Sequence, residues 1–251
     1  MNPSIIERQP GYLLHTHPYR DSSALLEIWS RDFGRVGLVA RGARRAKSPW
    51  RGLLDSFQPL LLSWGGKGDL KTLRGMELEQ MITPPAGQSM AAAYYVNELV
   101  LRTCMRHDPH PGLYANYVKM LTLLSTHQQF EAQLRYFEKQ LLAELGYGLD
   151  LLSDCHGEPL VADADYRYVA DEGAVPVGQE RDRFGEKVSG ELLMALAQER
   201  LSSDQLGAAK RLMRTLLRPH LGSRPLESRR LWSIFSKLGK TKLGNAGEAR
   251  H

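Results

Sequence analysis

The segment ALLEIWSRDFGRVGLVARGARR, residues 24–45, contains two apolar stretches of strand length, ALLEIW and RVGLVA, on either side of the turn-forming sequence SRDFG. Three similar stretches surround it: GYLLHT at 11–16, FQPLLLSW at 57–64 and LKTLRGMELEQMI at 70–82. No segment with the 3.6-residue period of a helix lies between them. Five short strands in succession predict a small antiparallel barrel, and both the OB type and the SH3-like type have this size.

The pattern changes at Thr83-Pro84-Pro85, because proline cannot donate to a β-ladder and stiffens a linker. Helices are predicted at 88–106, 113–126, 129–145, 189–200, 204–218 and 226–238. Residues 150–187 are predicted to be an irregular insert with short strand-like pieces such as YRYVA, and residues 239–251 to be a disordered tail. We therefore expect an α+β protein with a barrel domain at 1–82 and a mostly helical domain at 83–238.

Charge is distributed unevenly along the chain, although the net charge is only +5. Residues 1–80 carry 12 Lys and Arg against 8 Asp and Glu. Residues 81–201 carry 10 against 17, and residues 202–251 carry 11 against 3. The middle of the chain is therefore acidic and both ends are basic, which indicates that the ends bind a polyanion such as nucleic acid.

The densest cluster of cations follows the RVGLVA stretch. Residues 31–51 contain seven Lys and Arg and one acid, and five of these cations lie in RGARRAKSPWR at 41–51. The forked guanidinium of arginine matches two phosphate oxygens, so the pattern favours a phosphate-binding loop over its alternative, a solvated face. Aromatic residues lie nearby at Trp29, Phe33, Trp50 and Trp64, and these rings either stack on bases or belong to the barrel core.

A second basic set lies near the C-terminus. Its members are Lys210, Arg211, Arg214, Arg218, Arg224, Arg229 and Arg230. Lys210, Arg214 and Arg218 are spaced by four, so they line one face of the predicted helix. No acid lies between Asp204 and Glu227. Contact with a polyanion and a merely solvated face are both open interpretations of this set.

The motifs of common enzyme classes do not occur in the sequence. The GGKG at 65–68 does not fit the P-loop pattern and is typical of a hairpin turn, and there is no G-x-S-x-G or H-E-x-x-H. Three metal-like pairs occur, His107 with His110, Cys155 with His156, and Asp163 with Asp165. A pair cannot close a tetrahedral zinc site. We therefore expect a protein that is not an enzyme and holds no metal or cofactor.

The two cysteines and the apolar content bear on the compartment. Cys104 and Cys155 are far apart and indicate no disulfide framework. No stretch reaches 18 uninterrupted apolar residues, and MNPSIIERQPGYLL lacks the layout of a signal peptide. We expect no membrane contact and a cytoplasmic, nucleoid-associated location.

Several segments, taken in order, resemble the RecO family of bacterial recombination mediators. They are LHTHPY at 14–19, GRVGLVARGARR at 34–45, FQPLLLSWGGKGDLKTLRGME at 57–77, NEL at 97–99, LGYG at 145–148 and AAKRLMRTLLRPHLGSRPLESRRL at 208–231. No single segment is diagnostic, and their order across both predicted domains carries the resemblance. Some members of the family hold zinc through four cysteines in the mid-region insert. Only Cys155 is present here, which indicates that the zinc is absent.

The resemblance implies an OB-type barrel followed by a helical domain. It also implies binding to single- and double-stranded DNA, annealing of complementary strands, and help in loading the recombinase onto DNA coated by single-strand-binding protein, together with RecR. The cations expected to contact DNA are Arg35, Arg41, Arg44, Arg45, Lys47, Arg51, Lys67, Lys71, Arg74, Lys210, Arg211, Arg214 and Arg218.

The resemblance further implies a pocket in the helical domain for the acidic, Phe-ending tail of single-strand-binding protein. Such a tail needs an apolar pocket with a cation at its rim. The expected pocket consists of Arg135, Phe137, Leu141 and Leu145, which are close together on the predicted helix 129–145. The alternative is ordinary core, with Arg135 paired to Glu131 or Glu138.

Two other functions fit the basic ends of the chain without the resemblance. One is an RNA- or ribosome-associated OB-fold protein. The other is a nuclease or other nucleic-acid enzyme on an OB scaffold. That enzyme would need a carboxylate cluster in or near the basic region, whereas the acids of this sequence concentrate away from it.

Overall fold

The computed structural model describes residues 5–54, 57–126, 129–178 and 185–235. Its first five strands are β1 (Ile6–Tyr19), β2 (Ser23–Ser30), β3 (Gly34–Ala40), β4 (Pro59–Gly65) and β5 (Leu70–Leu78). They form a closed barrel in the order β1-β2-β3-β5-β4, in which β3 pairs with β5 in parallel and β4 pairs with β1. The predicted barrel is confirmed, and this strand order is that of the OB type rather than the SH3-like type.

Alternating apolar residues fill the barrel. Leu13, Leu26, Ile28, Leu38 and Leu62 are fully buried there. The alternation follows from the two-residue period of a strand, which places every second side chain on the inner face. Gly34, at the β2–β3 turn, has φ +63 and lies so close to the Asp108 carbonyl oxygen that a Cβ would be 2.1 Å from it. A larger residue cannot replace this glycine without moving the backbone.

Two helices pack with the barrel in the first compact unit of the chain, α1 (Gln88–Thr103) and α2 (Pro111–Thr126). Asn97 on α1 donates to the Leu14 carbonyl oxygen over 3.1 Å and accepts from the Tyr117 hydroxyl over 2.7 Å. All three groups are buried, so each of these hydrogen bonds satisfies a polar atom that water cannot reach. The helix predicted to reach residue 106 ends at Thr103 instead.

The second compact unit comprises residues 129–224. Its elements are α3 (Glu131–Glu144), β6 (Asp165–Val169), β7 (Gly173–Pro176), β8 (Glu186–Ser189), α4 (Gly190–Ala197) and α5 (Leu206–Leu217). The insert predicted to be irregular contains a three-stranded sheet, β7-β6-β8, of which only the β6 segment was apparent from the sequence. The hydroxyl of Tyr168 on β6 donates to the Asp150 carbonyl oxygen, and so fixes the start of the insert to its sheet.

Residues 225–235 belong to the first unit again. A helical segment runs over residues 228–235, inside the predicted helix 226–238. The predicted disordered tail, 239–251, lies outside the described residues. The division into domains at 1–82 and 83–238 stays a prediction, because the two units defined by contacts group the chain differently.

Candidate nucleic-acid interface

The loop that leaves β3, residues 41–51 and called here the basic loop, is a chain of tight turns anchored in the barrel. The backbone amides of Arg45, Ser48 and Arg51 each donate to the carbonyl oxygen three residues earlier, over 3.0–3.3 Å. Ala43 is fully buried in the barrel core. The loop therefore has an internally bonded backbone with an apolar plug, and its conformation does not depend on a ligand.

The basic loop presents its cations to solvent. Its exposed cations are Arg41, Arg44, Arg45, Lys47 and Arg51. None of them forms an ion pair with a carboxylate of the described residues. A cleft of about 320 Å³ lies against the loop. It is lined by Arg41, Gly42, Arg45, Lys47, Ser48, Pro49 and Trp50. These cations are available to bind phosphate oxygens.

The β1–β2 turn adds a cation that the sequence did not single out. Arg20 is exposed, and its guanidinium carbon lies 5.2 Å from the centre of the Tyr19 ring. The Arg44 guanidinium donates to the Arg20 carbonyl oxygen, and the Arg44 amide donates to the Ser22 carbonyl oxygen over 2.9 Å. Arg20 and the basic loop therefore form one surface.

The expected DNA contacts on β4 and β5 differ in their position along the barrel. Lys67 is exposed in the β4–β5 turn, and β5 leaves that turn beside β3, with Leu70 opposite Gly37. Lys71 is half-buried and donates to the Gly68 carbonyl oxygen within the same turn. Arg74 is exposed further along β5, and its side chain lies against Gly65. The β3–β5 register places Lys71 opposite Leu38, three residues before the basic loop begins.

Arg35 is engaged inside the protein rather than facing solvent. Its guanidinium donates to the Leu101 carbonyl oxygen over 2.9 Å and lies 3.7 Å from the Glu27 carboxylate. Arg106 forms an ion pair with the same carboxylate. The exposed fraction of the Arg35 side chain is 20%. We leave Arg35 out of the proposed DNA contacts for this reason.

The same cluster covers part of the barrel surface that OB domains commonly use to bind oligonucleotides, the face of strands 2 and 3. The α1–α2 connection lies along β3, where the His107 amide donates to the Arg35 carbonyl oxygen over 2.9 Å. The Arg106 guanidinium lies against Gly37, about 3.0 Å from where a Cβ would be. The covered part of this face is closed to a ligand, and the part nearer the basic loop is not.

Two of the rings that the sequence placed near the cations belong to the core. Trp29 is fully buried and Trp64 is 3% exposed. Phe33 packs edge-on against Trp64, and Trp50 packs half-buried against the barrel core. Stacking of bases on Trp29 or Trp64 is therefore wrong. His15 and His17 on β1, by contrast, are exposed.

The predicted basic helix face is present on α5. Lys210, Arg211 and Arg214 are exposed on α5, and Arg218 is exposed in the 3-10 turn that follows it. The opposite side of the helix is buried through residues such as Leu212. Arg211 pairs with Glu186 on β8 over 2.9 Å. This surface, called here the α5 face, is a second basic surface in the second unit.

The expected tail pocket is largely buried. The side chain of Arg135 is 8% exposed and pairs over 2.8 Å with Glu138, which is itself fully buried. Phe137 and Leu141 are buried and Leu145 is half-buried. The pocket stays a prediction, and the burial weighs against it, because a ligand could reach the Arg135 guanidinium only by displacing this ion pair.

The described residues contain no group of three or more His, Cys, Asp and Glu side chains placed to hold a metal ion. One carboxylate oxygen of Asp108 lies 3.3 Å from the Nε2 atom of His110. No helix in the described part of the chain is long and apolar enough to cross a membrane.

Comparison with known proteins assigns the chain to a family. Residues 1–82 match the family model described as Recombination protein O N terminal, and residues 85–230 match the model described as Recombination protein O C terminal. The chain is 46% identical over 235 residues to the DNA repair protein RecO of Alkalilimnicola ehrlichii, covering 91% of this chain and 92% of the relative. It is 45% identical over 233 residues to the DNA repair protein RecO of Nitrosococcus oceani, covering 92% and 94%.

A third relative gives the same result. The DNA repair protein RecO of Vibrio vulnificus is 42% identical over 236 residues, covering 93% of this chain and 96% of the relative. Both halves match in order, and the relatives match over nearly their whole length. The OB-type barrel with its basic loop thus stands in a chain that belongs to the RecO (recombination protein O) family.

Proposed function

We propose that the protein is a non-enzymatic DNA-binding mediator of DNA repair and recombination. It binds single- and double-stranded DNA, anneals complementary strands, and helps to load the recombinase onto DNA coated by single-strand-binding protein, in partnership with RecR. The observation that carries the proposal is the anchored basic loop, whose five exposed cations form no ion pair with a described carboxylate, in a chain of the RecO family.

The basic loop is suited to the phosphate backbone rather than to base edges. Arginine and lysine side chains that neutralise phosphates release condensed counterions, and this gain is independent of sequence. Because the loop is already bonded internally, DNA does not need to order it, and the entropy cost of binding is small.

Annealing follows from the same charges. Two strands repel each other through their phosphates, and this repulsion slows their encounter. The basic loop with Arg20 lies in the first unit and the α5 face in the second, so the protein has two basic surfaces that can each hold a strand. Neutralising both strands lowers the barrier to pairing. Annealing of this kind does not require the carboxylate cluster that a nuclease would need.

The experiment that tests the proposal is annealing of complementary strands by the purified full chain. The test variant is Arg44→Glu with Arg45→Glu, and the control is Lys119→Glu with Arg200→Glu, exposed cations outside both proposed surfaces. Both pairs change the net charge equally. We expect the test variant to anneal at least about tenfold more slowly, since two phosphate contacts become repulsive, and the control to stay near the parent.

A parent protein that does not accelerate annealing, or equal loss in both variants, would contradict the proposal. The assay is repeated with strands coated by single-strand-binding protein, on which the parent should still act. Affinity for RNA strands is measured at the same salt, because an RNA-associated protein would bind RNA more tightly than DNA. The proposed location, in the cytoplasm with the nucleoid, follows from the DNA substrate.

A further inference from the structure

The chain passes between its two compact units twice, and the second crossing returns it to the first unit. The first unit ends at residue 128 and resumes at Pro225, so the second unit is inserted into it. The described part of the returning chain is residues 225–235, called here the C-terminal segment. Leu226 and Ser228 in this segment are buried, so the segment is packed into the first unit.

The C-terminal segment is fastened to α1 by hydrogen bonds to two residues that lie one helical turn apart. The Glu98 carboxylate accepts from the amides of Glu227 and Ser228 over 3.0 Å, and from the Ser228 hydroxyl over 2.7 Å. Arg102 pairs with Glu98 over 2.6 Å and donates to the Pro225 carbonyl oxygen over 2.7 Å. Hydrogen bonds to charged groups are stronger than those between neutral groups, so this attachment is a firm one.

The helix α1 is in turn fixed to the barrel that carries the basic loop. Asn97 donates to the Leu14 carbonyl oxygen of β1, and Arg35 of β3 donates to the Leu101 carbonyl oxygen. These bonds lie on either side of Glu98 in the sequence of α1. The start of the C-terminal segment therefore has a fixed position relative to the basic loop, because the same barrel holds both.

In the second unit, the chain leaves directly after the α5 face. Arg218 lies in the 3-10 turn that follows α5, and His220 of this turn packs against Tyr147 with ring centres 4.1 Å apart. Residues 219–224 separate Arg218 from Pro225. Fully extended at roughly 3.6 Å per residue, this connection spans at most about 25 Å. The fastened C-terminal segment therefore limits how far the end of the α5 face can move from the barrel.

We propose that the C-terminal segment positions the α5 face for strand annealing, by fastening the second chain crossing to the barrel through Glu98 and Arg102. The inference rests on the proposed function and makes these two residues positioning residues rather than DNA contacts. Two connections keep the strand on the α5 face near the strand on the basic loop, and so raise the effective concentration of one strand at the other. With the first crossing alone, that concentration would fall.

The first test lengthens the second crossing and leaves the C-terminal segment unchanged. An insertion of about 24 glycine and serine residues, which form a flexible linker, is placed between Gly222 and Ser223, both exposed. The effective concentration falls roughly as the −3/2 power of linker length, so annealing should slow by about three- to tenfold. The affinity for a short single strand should stay that of the parent, because neither basic surface is changed.

The matched control carries the same insertion between Asp171 and Glu172, in the exposed β6–β7 turn within the second unit. This insertion does not lengthen a crossing, so the control should anneal at the parental rate. A second variant, Glu98→Ala with Ser228→Ala, removes the hydrogen bonds between these two side chains and the segment. It should also anneal more slowly at parental affinity, with faster hydrogen exchange at the amides of residues 227 and 228.

An insertion variant that anneals at the parental rate overturns the inference, because the C-terminal segment then serves only the stability of the first unit. The same holds for equal losses of affinity and annealing rate, for an equal loss in the control insertion, and for a detached segment, seen by hydrogen exchange, with annealing unchanged. A parent that does not accelerate annealing contradicts the proposed function itself, so the two failures are distinguishable.

Discussion

The Arg44 guanidinium donates a hydrogen bond to the Arg20 carbonyl oxygen over 3.5 Å. These residues lie 24 positions apart in the sequence, in the basic loop and in the β1–β2 turn. The contact, together with the Arg44 amide bond to the Ser22 carbonyl oxygen, joins the two segments into one cationic surface. Fixed spacing between cations favours a ligand with repeated charges, such as the nucleic-acid backbone.

The ion cluster that covers β3 should stabilise the fold measurably. Arg106→Ala removes one partner of Glu27, whose side chain is 8% exposed, and leaves Arg35 as its remaining cation. We expect the free energy of unfolding to fall by about 2 kcal/mol, as for a lost hydrogen bond to a charged group. The measurement is urea denaturation of parent and variant.

The matched control for that prediction is Arg31→Ala. Arg31 pairs with Asp32, but both side chains are about half exposed, so this pair should contribute less than about 1 kcal/mol. Equal losses in the two variants would show that the Arg106 pair behaves as an ordinary surface contact.

Glu98 should make the attachment of residues 225–235 depend on pH. Burial raises the pKa of Glu98, but hydrogen bonds from the Ser228 hydroxyl and amide, the Glu227 amide and the charge of Arg102 together lower it below its ordinary value. A carboxyl with a lowered pKa stabilises the folded state above its unfolded pKa, and this contribution is lost as pH falls through the folded pKa.

Glu98→Gln should therefore unfold more easily than the parent at pH 7, by about 1–3 kcal/mol, and the difference should shrink towards pH 3. Hydrogen exchange at the amides of residues 227 and 228 should be faster in the variant at pH 7. Glu77→Gln, at an exposed pair with Arg8, is the control and should change neither quantity. A difference independent of pH would show that the charge of Glu98 is not responsible.

Substitution of Arg135 can distinguish a structural role of this residue from a role in binding. Arg135→Ala leaves the fully buried Glu138 without this ion pair, and we expect a loss of about 3–5 kcal/mol of stability. If the expected tail pocket also holds, an acidic Phe-ending peptide should bind the folded variant more weakly by about 1.5–3 kcal/mol, with DNA affinity nearly intact. Unchanged peptide affinity would remove Arg135 from the tail site.

The protein should fold without zinc. Cys155 and His156 are the zinc-type side chains of the insert, and a stable tetrahedral site needs four ligands. Elemental analysis of protein purified without chelator should find less than about a tenth of an equivalent of zinc. One equivalent, lost together with folded structure on adding a chelator, would contradict this expectation.

Much of the fold could be predicted because its signals are local. The strands β1 to β5 and the helices follow from alternation, helical period and turn residues. The β7-β6-β8 sheet was missed, since β8 pairs with a strand about 20 residues away and such pairing leaves little trace in the sequence. Short strands in an acidic segment also have a sequence pattern similar to that of a loop.

The site could be predicted only in part, because partners in space decide the role of a charge. The cations at 41–51 could be predicted as a cluster because they lie close together in the sequence. Arg35 and Arg135 are engaged in ion pairs instead, with Glu27 and Glu138. No spacing in the sequence indicates the pair of Arg35 with Glu27. The register shift of β1 between Leu13 and His15 has no counterpart in the alternation of the sequence and could not be predicted from it.

The salt dependence of single-strand binding tests the central claim, that the basic loop binds phosphates, most directly. Affinity of the parent and of Arg44→Glu with Arg45→Glu is measured from low to moderate salt on a thymidine strand. The loop should contribute about 0.7 to the slope of log affinity against log salt for each contact, so the variant should lose about 1.4 of slope together with affinity. An unchanged affinity and slope would contradict the account and show that these cations form a solvated face without phosphate contacts.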